Sequence, residues 1–280
     1  MVLGIDFGST TTKIVLMDGI NVINKYRIER EDSIEDILNE LDLGAVSKIV
    51  TVGTGASYID GNIRGIETKN VSEFQAVALG GHYLSGLDEC LVVSLGTGTS
   101  FVYVNRDRYE HTGGCGIGGA LLASMARYAG MADVNEFLEL AVNGDINNSD
   151  LLIKDISKTN VGELLGNVTV ANMAKITGDS KREDYAYGAC NMIFQNIGVM
   201  AALADRTYET GKIVIMGSIG ESEIAKQCFN AVGGLFGCDF IVPADAVYGV
   251  AIGAVLVEAG NVNNFGVYGA PMDEVDYMFE

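Results

Sequence analysis

The sequence lacks an excess of positive charge. Lys and Arg number 18 against 37 Asp and Glu, which gives a formal net charge of −19. Nucleic acids and anionic membranes bind basic surfaces, so we expect neither as a partner. No apolar run reaches the roughly 18 residues of a membrane-spanning helix. The first residues contain no basic segment followed by a purely apolar one, so we expect no signal peptide and a cytoplasmic location.

Cysteine and histidine are also scarce. The five cysteines, at positions 90, 115, 190, 228 and 238, contain no C-x-x-C pair. An odd number of cysteines in a chain without an export signal indicates reduced thiols rather than a disulfide framework. The two histidines, His82 and His111, offer little material for a zinc site.

Proline is rare, with 2 residues, whereas glycine is abundant, with 36. This composition favours long uninterrupted elements joined by tight turns. A length of 280 residues suggests two domains at roughly 150 residues each. We place the boundary near residue 88, which gives domains at 1–88 and 89–260. Residues 261–280 are rich in Asn and acidic residues and form an appendage whose role the sequence does not indicate.

Apolar runs separated by turn signals predict strands and an internal duplication. Three strands are predicted at Leu3–Asp6, Thr12–Met17 and Val22–Ile28, the last two joined by an Asp-Gly turn. The strand–turn–strand theme recurs about 90 residues later, at Cys90–Leu95 and Phe101–Asn105. Further strands are predicted at Lys48–Val52 and Lys212–Met216. Helical spacing of apolar residues predicts helices at Ser33–Leu41, Gly118–Tyr128, Val134–Val142, Asp184–Tyr208 and Val250–Glu258.

The segment Asp6–Lys13 reads DFGSTTTK and has the composition of a phosphate-binding hairpin. Gly8 permits a sharp turn that exposes consecutive N–H groups, and hydroxyls and a lysine follow within reach. Asp6 ends the preceding strand, where its carboxylate could hold Mg²⁺ through water. Taken alone, the segment is equally compatible with an ordinary polar hairpin turn.

The segment Ser94–Ser100 reads SLGTGTS and repeats the same chemistry. Its glycines allow close approach of the backbone, and its hydroxyls could bind phosphate or metal-bound water. Each segment alone could be a simple β-turn. Two such hairpins, each preceded by an apolar strand, indicate a pair of loops that face each other across the phosphates of a nucleotide.

Two further glycine motifs are less specific. Residues 113–120 read GGCGIGGA and contain a G-x-G-x-x-G match, but no β-α-β unit surrounds it, so we do not expect a Rossmann site. We interpret it as a glycine-rich helix N-terminus that receives anions through free N–H groups. Gly217 and Ser218 follow the strand Lys212–Met216 and could border an adenosine, although a plain turn explains them equally well.

Several segments, in this order and spacing, resemble type II pantothenate kinases over residues 1–258. They are GIDFGSTTTKIV, SEFQAVALG, SLGTGTS, TGGCGIGGALL, TVANM, IVIMGS and AIGA. The resemblance implies an α/β protein of two actin-like (ribonuclease H-like) domains with an ATP cleft between them. It implies transfer of the γ-phosphoryl group of ATP to the primary hydroxyl of pantothenate, the first step of coenzyme A synthesis. Mg²⁺ as a cofactor and a homodimer are implied as well.

The resemblance also assigns roles to individual residues. Glu73 matches the family's general base, although a helix N-terminal acid capped by Ser72 is the alternative from the residues alone. Asp6 would hold Mg²⁺ through water, and His111 and Gly113 would border the acceptor. The residues implied to bind ATP are Gly8, Ser9, Thr10, Thr11, Thr12, Lys13, Thr97, Gly98, Gly118, Gly119, Ala120, Leu121 and Ser218.

The sequence departs from the family at three places: Ser9 replaces a glycine, His111 replaces an arginine that helps to bind the substrate, and the tail after about residue 260 is extra. Histidine cannot fork onto an oxyanion as arginine does, so a related acceptor such as pantetheine or an amino sugar stays open. A second alternative is the ATPase activator of a 2-hydroxyacyl-CoA dehydratase, which carries an iron–sulfur cluster between subunits. Cys115 matches one cluster ligand there, and no second cysteine matches. A third alternative is a non-catalytic module that senses nucleotide or coenzyme A.

Overall fold

The computed structural model describes residues 1–29, 38–39, 41, 43–259 and 266–267. The regular elements in chain order are β1 (Val2–Phe7), β2 (Thr11–Asp18), β3 (Asn21–Glu29), β4 (Lys48–Val52), β5 (Thr68–Asn70), α1 (Glu73–Ser85), β6 (Glu89–Leu95), β7 (Thr99–Asn105), β8 (Arg108–Cys115), α2 (Gly119–Tyr128), α3 (Val134–Ala141), α4 (Ile146–Ser149), β9 (Leu151–Leu152), α5 (Ile153–Ile156), β10 (Thr169–Ala171), α6 (Arg182–Asp205), β11 (Lys212–Met216), α7 (Glu223–Phe236), β12 (Asp239–Ile241), α8 (Gly249–Glu258) and β13 (Gly266–Val267). Short 3₁₀ turns occur at Leu43–Ala45, Thr54–Tyr58, Ser218–Glu221 and Ala246–Tyr248.

Two mixed sheets share one topology. The first has the strand order β3-β2-β1-β4-β5, and the second contains β8-β7-β6-β11-β12 with β13 added at its β8 edge. In each sheet an antiparallel three-stranded meander continues into two parallel strands. The order of the second sheet repeats that of the first strand for strand, which confirms the internal duplication predicted from the repeated strand–turn–strand pattern.

Helices α1 and α8 pack against each other between the two sheets. Small residues allow their backbones to approach closely. A Cβ atom on Gly80 would lie 1.9 Å from the Gly249 carbonyl oxygen, and one on Gly253 would lie 1.8 Å from the Ala76 carbonyl oxygen. Helix α8 also contacts β1, β2 and β4, so it returns from the second sheet to the first.

The largest apolar core lies beneath the second sheet, where α2, α3, α6 and α7 cover its strands. Phe137, Phe194 and Phe229 are its largest fully buried side chains. A separate cluster joins α1 to the other face of the same sheet through Val77, Ala78 and Val92. Helix α1 packs against both sheets, so its N-terminus lies at the boundary between them.

The structure confirms the predicted strands and four of the predicted helices, with shifts of at most three residues at their ends. The helix predicted at Ser33–Leu41 lies mostly outside the described residues, although Leu38 and Asn39 within it are helical. Sequence analysis missed the helices α1 and α7 and the strands β5, β8 and β12. It also missed the short elements α4, β9, α5, β10 and β13. The boundary near residue 88 falls between α1 and β6, and the division at 1–88, 89–260 and 261–280 stays a prediction.

Candidate functional site: a cleft between two hairpins

A cavity of about 840 Å³ opens where the hairpin turns of the two sheets meet. The β1–β2 turn and the β6–β7 turn line it from opposite sides. The Ser9 and Thr97 hydroxyls, 88 residues apart in the chain, are hydrogen-bonded to each other. The predicted site residues that line the cavity are Asp6, Gly8, Ser9, Thr10, Thr11, Lys13, Glu73, Thr97, Gly98, Gly119, Ala120 and Ser218.

The first hairpin has charged groups at its base. Lys13 lies directly opposite Asp6 in the antiparallel register of β1 and β2. Its Nζ atom is 3.7 Å from Asp6 Oδ2 and donates a hydrogen bond to the Thr11 carbonyl. A side chain at Gly8 would place a Cβ 2.6 Å from the Thr11 carbonyl oxygen. Glycine is therefore required for the turn to close over its own strand.

Asp6 is the most perturbed carboxylate of the cavity. Burial raises its pKa to about 6, the positive charge of Lys13 opposes that rise, and the negative charge of Glu73 adds to it. A raised pKa means that the charged form of this buried carboxylate is destabilised relative to its protonated form. A cation that entered beside Asp6 would relieve this destabilisation, which is the behaviour expected of a group that holds metal-bound water.

The second hairpin is uncharged and tightly joined to the N-terminus of α2. The Gly119 N–H donates to the Gly96 carbonyl, and the Ala120 N–H donates to the Thr97 carbonyl. A Cβ on Gly118 would lie 2.8 Å from three backbone atoms of Gly98. The expectation that this helix start offers free N–H groups is therefore wrong for Gly119 and Ala120, because the hairpin carbonyls accept them. The two residues still line the cavity.

Glu73 is the first residue of α1 and lines the cavity. Ser72 occupies the N-cap position but makes no side-chain cap hydrogen bond. The capping alternative for this Ser-Glu pair thus lacks its hydrogen bond. Because the charge of Glu73 contributes to the pKa of Asp6, the two carboxylates lie within electrostatic reach of each other.

Five predicted site residues do not line the cavity. Gly118 packs its backbone against the second hairpin. His111 stacks on Phe74, the neighbour of Glu73, with ring centroids 3.8 Å apart. Burial lowers the pKa of His111, which favours the neutral ring. The other three are Thr12 on β2, Gly113 on β8 and Leu121 in α2.

The turn after β11 contains Gly217 and Ser218, which are predicted to border an adenosine. Gly217 follows the strand with φ of 106°, and a Cβ there would lie 2.2 Å from the Leu95 carbonyl oxygen. This close approach explains the glycine at the strand end. Ser218 and Ile219, which follow this glycine, line the cavity.

Sequence reasoning missed several charged residues of the cavity. Arg27 and Glu29 of β3 and Asp133 at the start of α3 also line it. Among the described lining residues there are four carboxylates, on Asp6, Glu29, Glu73 and Asp133, against the two cations of Lys13 and Arg27. Within the described part of the chain no group of three or more His, Cys, Asp or Glu side chains could hold a metal. One carboxylate beside a phosphate-binding hairpin nevertheless fits Mg²⁺, which typically takes one or two carboxylates together with substrate phosphates.

Cys115 ends β8, is partly buried and lines the cavity. Its thiol lies 3.7 Å from the Ile117 carbonyl oxygen, to which it donates a weak hydrogen bond. Cys90, Cys190 and Cys228 are buried elsewhere, and burial raises the pKa of each thiol. Their raised pKa values make these three buried thiols poor candidates for a second cluster ligand, which would bind as a thiolate.

No helix of the described residues is long and apolar enough to span a membrane.

Comparison with solved structures shows the fold. The activator of the 2-hydroxyisocaproyl-CoA dehydratase from Clostridium difficile, solved with bound ADPNP, matches with a TM-score of 0.67 at 18% identity. The match covers 92% of this chain and 95% of that one. A ROK family glucokinase from Streptomyces griseus, solved with glucose and AMPPNP, matches with a TM-score of 0.54 at 12% identity over 91% and 98% of the two chains. The predicted fold of two actin-like domains is confirmed.

Comparison of sequences shows the family. A type II pantothenate kinase from Staphylococcus aureus is 25% identical over 272 residues, which are 92% of this chain and all of that protein. The family model described as Fumble matches residues 87–230, more than half of the chain. The resemblance to type II pantothenate kinases is confirmed, and this chain belongs to the Fumble family.

Proposed function

We propose that this protein is a pantothenate kinase that transfers the γ-phosphoryl group of ATP to the primary hydroxyl of pantothenate. The name of the Staphylococcus aureus relative and the Fumble family support this activity. The observation that carries the proposal is the shared cavity. Two phosphate hairpins and the carboxylate of Glu73 line one cleft of about 840 Å³, a volume that suits a nucleotide together with a small acceptor.

The hairpins would hold the triphosphate between them. Ser9, Thr10 and Thr97 of the two turns line the cavity, and their hydroxyls would contact the phosphates. Lys13 would offset the negative charge that spreads over the transferred phosphoryl group. Ala120 of α2 and Ser218 would border the adenosine.

Glu73 would act as the general base. Its carboxylate accepts the proton of the acceptor hydroxyl as that oxygen bonds to the γ-phosphorus, and the bond from the γ-phosphorus to the bridging oxygen of ADP breaks. Its place at the start of α1, which packs on both sheets, holds it rigidly at the cleft. Asp6 would hold the water shell of Mg²⁺, which when bound would neutralise phosphate charge.

His111 stands at the position of the family's substrate-binding arginine, and a histidine is not a forked cation. His111 is stacked on Phe74 and does not line the cavity, and burial favours its neutral form. Pantothenate is the acceptor named by the relatives, and pantetheine is the neutral acceptor that differs from it at the far end. The homodimer, the Mg²⁺ requirement and the cytoplasmic location predicted from the resemblance stay predictions.

The ATPase activator is the alternative with a structural neighbour of the same fold. At 18% identity that neighbour supports the fold alone. Cys115 is at the cavity, but the described residues offer it no cysteine partner for a cluster. We expect iron-free protein after anaerobic purification, and stoichiometric iron and sulfide would favour the activator instead.

The test of the catalytic assignment is Glu73→Gln, which keeps the size of the side chain but cannot accept the proton. General-base catalysis typically supplies about 10²- to 10⁴-fold, so kcat for pantothenate should fall by that order while the Kd for ATP stays unchanged. Glu223→Gln is the matched control, because Glu223 also follows a serine N-cap at the first position of a helix and lies outside the cavity. Equal kcat values for the two variants would contradict the role of Glu73.

A further inference from the structure

The β2–β3 hairpin contains an irregularity that changes which side chains face the cleft. Its two-residue turn pairs Asp18 with Asn21 and Met17 with Val22. Between Met17 and Leu16 the register shifts, and Leu16 then pairs with Asn24. Ile23 is the extra residue of this β-bulge and is exposed. Bulges of this kind often lie beside active sites, where they redirect a side chain.

The consequence falls on Arg27. Without the bulge the register of the turn would continue, and Tyr26 would lie opposite Lys13. With it Arg27 lies opposite Lys13, which itself lies opposite Asp6. Residues that pair directly across antiparallel strands point to the same face of the sheet. The bulge therefore adds Arg27 to the row of Asp6 and Lys13 that faces the cleft.

The sheet order places Arg27 on one side of the first hairpin and Glu73 on the other. In the order β3-β2-β1-β4-β5, Arg27 is on the edge strand β3, whereas Glu73 follows β5 at the opposite edge. Adjacent strands lie about 4.8 Å apart, so Arg27 is separated from the acceptor side by the whole phosphate hairpin. Arg27 therefore lies on the β2 side of the β1–β2 turn, away from the sheet edge that leads to Glu73.

Arg27 is held by a partner that it can release. Its Nε atom lies 3.0 Å from Glu29 Oε1, and the two side chains are 35% and 60% exposed. An ion pair this exposed contributes little to stability, so exchanging it for a phosphate costs little. Arg27 is also one of only two cations among the described residues of a cavity that carries four carboxylates. Lys13 and Arg27 are therefore the two side chains of this lining that would offset the negative charge of a polyanion in the cleft.

We propose that Arg27 is a phosphate-binding residue of the nucleotide site, which forks onto the phosphate chain of ATP and ADP beside Lys13 after releasing Glu29. The inference rests on the proposed function, since it assumes that the cleft binds ATP. Two parallel N–H···O bonds from a guanidinium give both charge and geometry, which a lysine at the same position supplies only in part.

The test compares Arg27→Gln and Arg27→Lys with the matched control Lys25→Gln. Lys25 lies on the same face of β3 one pleat away, but it pairs with Asp245 and does not line the cavity. Binding of ADP, ATP and adenosine is measured by calorimetry for each purified protein. Because nucleotide binding is read without an acceptor, this test is independent of whether pantothenate is the substrate.

We expect Arg27→Gln to weaken ADP and ATP binding about tenfold, Arg27→Lys to weaken it less, and Lys25→Gln to change it by less than about twofold. Adenosine binding should be the same for all four proteins, because it offers no phosphate. The KM for ATP should rise with Arg27→Gln while the KM for the acceptor stays constant. Should Arg27→Gln prove poorly folded, Arg27→Lys carries the same comparison.

Three results would overturn the inference. Unchanged ADP and ATP affinity in Arg27→Gln would show that the side chain does not touch the phosphates. An equal loss of adenosine affinity would show a structural effect on the sheet. A rise in the acceptor KM alone would assign Arg27 to the acceptor. Wild-type protein that binds no ATP would instead refute the proposed function together with this inference.

Discussion

The two hairpins have the same topology and opposite chemistry. The first is flanked by Asp6, Lys13 and Arg27, whereas the second offers hydroxyls and glycine backbone with no charged residue between Ser94 and Ser100. The first closes mainly on itself, while the second is tied to the start of α2 by two backbone hydrogen bonds. The two copies of the duplicated unit thus differ in what they place at the cleft. The first hairpin supplies charged side chains, and the second supplies an uncharged surface held by backbone hydrogen bonds.

Asp6 and Lys13 are the titratable groups of the two hairpins, and both belong to the first hairpin. Asp6 combines burial with a nearby like charge, so its carboxylate is destabilised in the apo protein. The second hairpin contains nothing that titrates. The difference between the hairpins can be tested by removing the charge of the first or by disturbing the close packing of the second.

The largest effect is expected from Asp6→Asn. Loss of the carboxylate removes the group that we propose holds metal-bound water, so kcat should fall by about 10²- to 10³-fold, as for loss of one preorganised electrostatic contact. The apo protein should become more stable at pH 8. The pKa of Asp6 is raised in the folded protein, so the free energy of unfolding falls as pH rises from about 4 to about 6. A neutral amide avoids this loss, which is about 1–3 kcal/mol. Urea unfolding and steady-state kinetics measure the two effects.

Asp18→Asn is the control for that substitution, because Asp18 is the last residue of β2, is exposed and lies outside the cavity. It should change neither kcat nor the free energy of unfolding by more than about 0.5 kcal/mol. If Asp6→Asn destabilised the apo protein instead, the raised pKa of Asp6 and its cause would be wrong.

The second hairpin is tested by Gly118→Ala against Gly116→Ala. A Cβ at Gly118 would meet the Gly98 backbone at 2.8 Å, whereas one at Gly116 would meet nothing within 4 Å. Overpacking of this kind costs about 1–3 kcal/mol, so Gly118→Ala should lower stability and weaken ATP binding about 5- to 150-fold. Gly116→Ala should leave both near wild type. Similar ATP affinities for the two variants would show that the hairpin position does not matter for the nucleotide.

The smallest effect is the pH dependence of nucleotide binding. Asp6 must be ionised to hold metal-bound water, so the affinity for ATP with Mg²⁺ should fall as pH drops below about 6, by up to tenfold per pH unit. Calorimetry between pH 5 and 8 measures this slope. Binding without Mg²⁺ should lack it, and an identical slope in Asp6→Asn would contradict the assignment.

The sequence was sufficient for the hairpins because local signals determine them. Alternation of apolar residues and the Asp-Gly turn predict the β1–β2–β3 meander without reference to the rest of the chain. The face presented by Arg27 could not be predicted in the same way. It depends on the bulge at Ile23, and a one-residue change of register moves every later side chain to the other face.

The helices show the same division between local and distant causes. Helix α7 had a readable signal, since Ser222 caps it and Ile224, Cys228 and Val232 recur at helical spacing. Helix α1 is different, because Gly80 and Gly81 lower its intrinsic helix propensity. The close contact with α8 explains these glycines, and a contact between residues 76–80 and 249–253 cannot be read from either segment alone.

The proposed function requires that the protein transfers the phosphoryl group of ATP to an alcohol acceptor rather than to water. The most direct measurement is ADP release by the wild-type protein with Mg²⁺ and ATP, with pantothenate, with pantetheine and without an acceptor. We expect ADP release that depends on pantothenate and matches phosphopantothenate mole for mole. ADP release at the same rate with no acceptor present would contradict it.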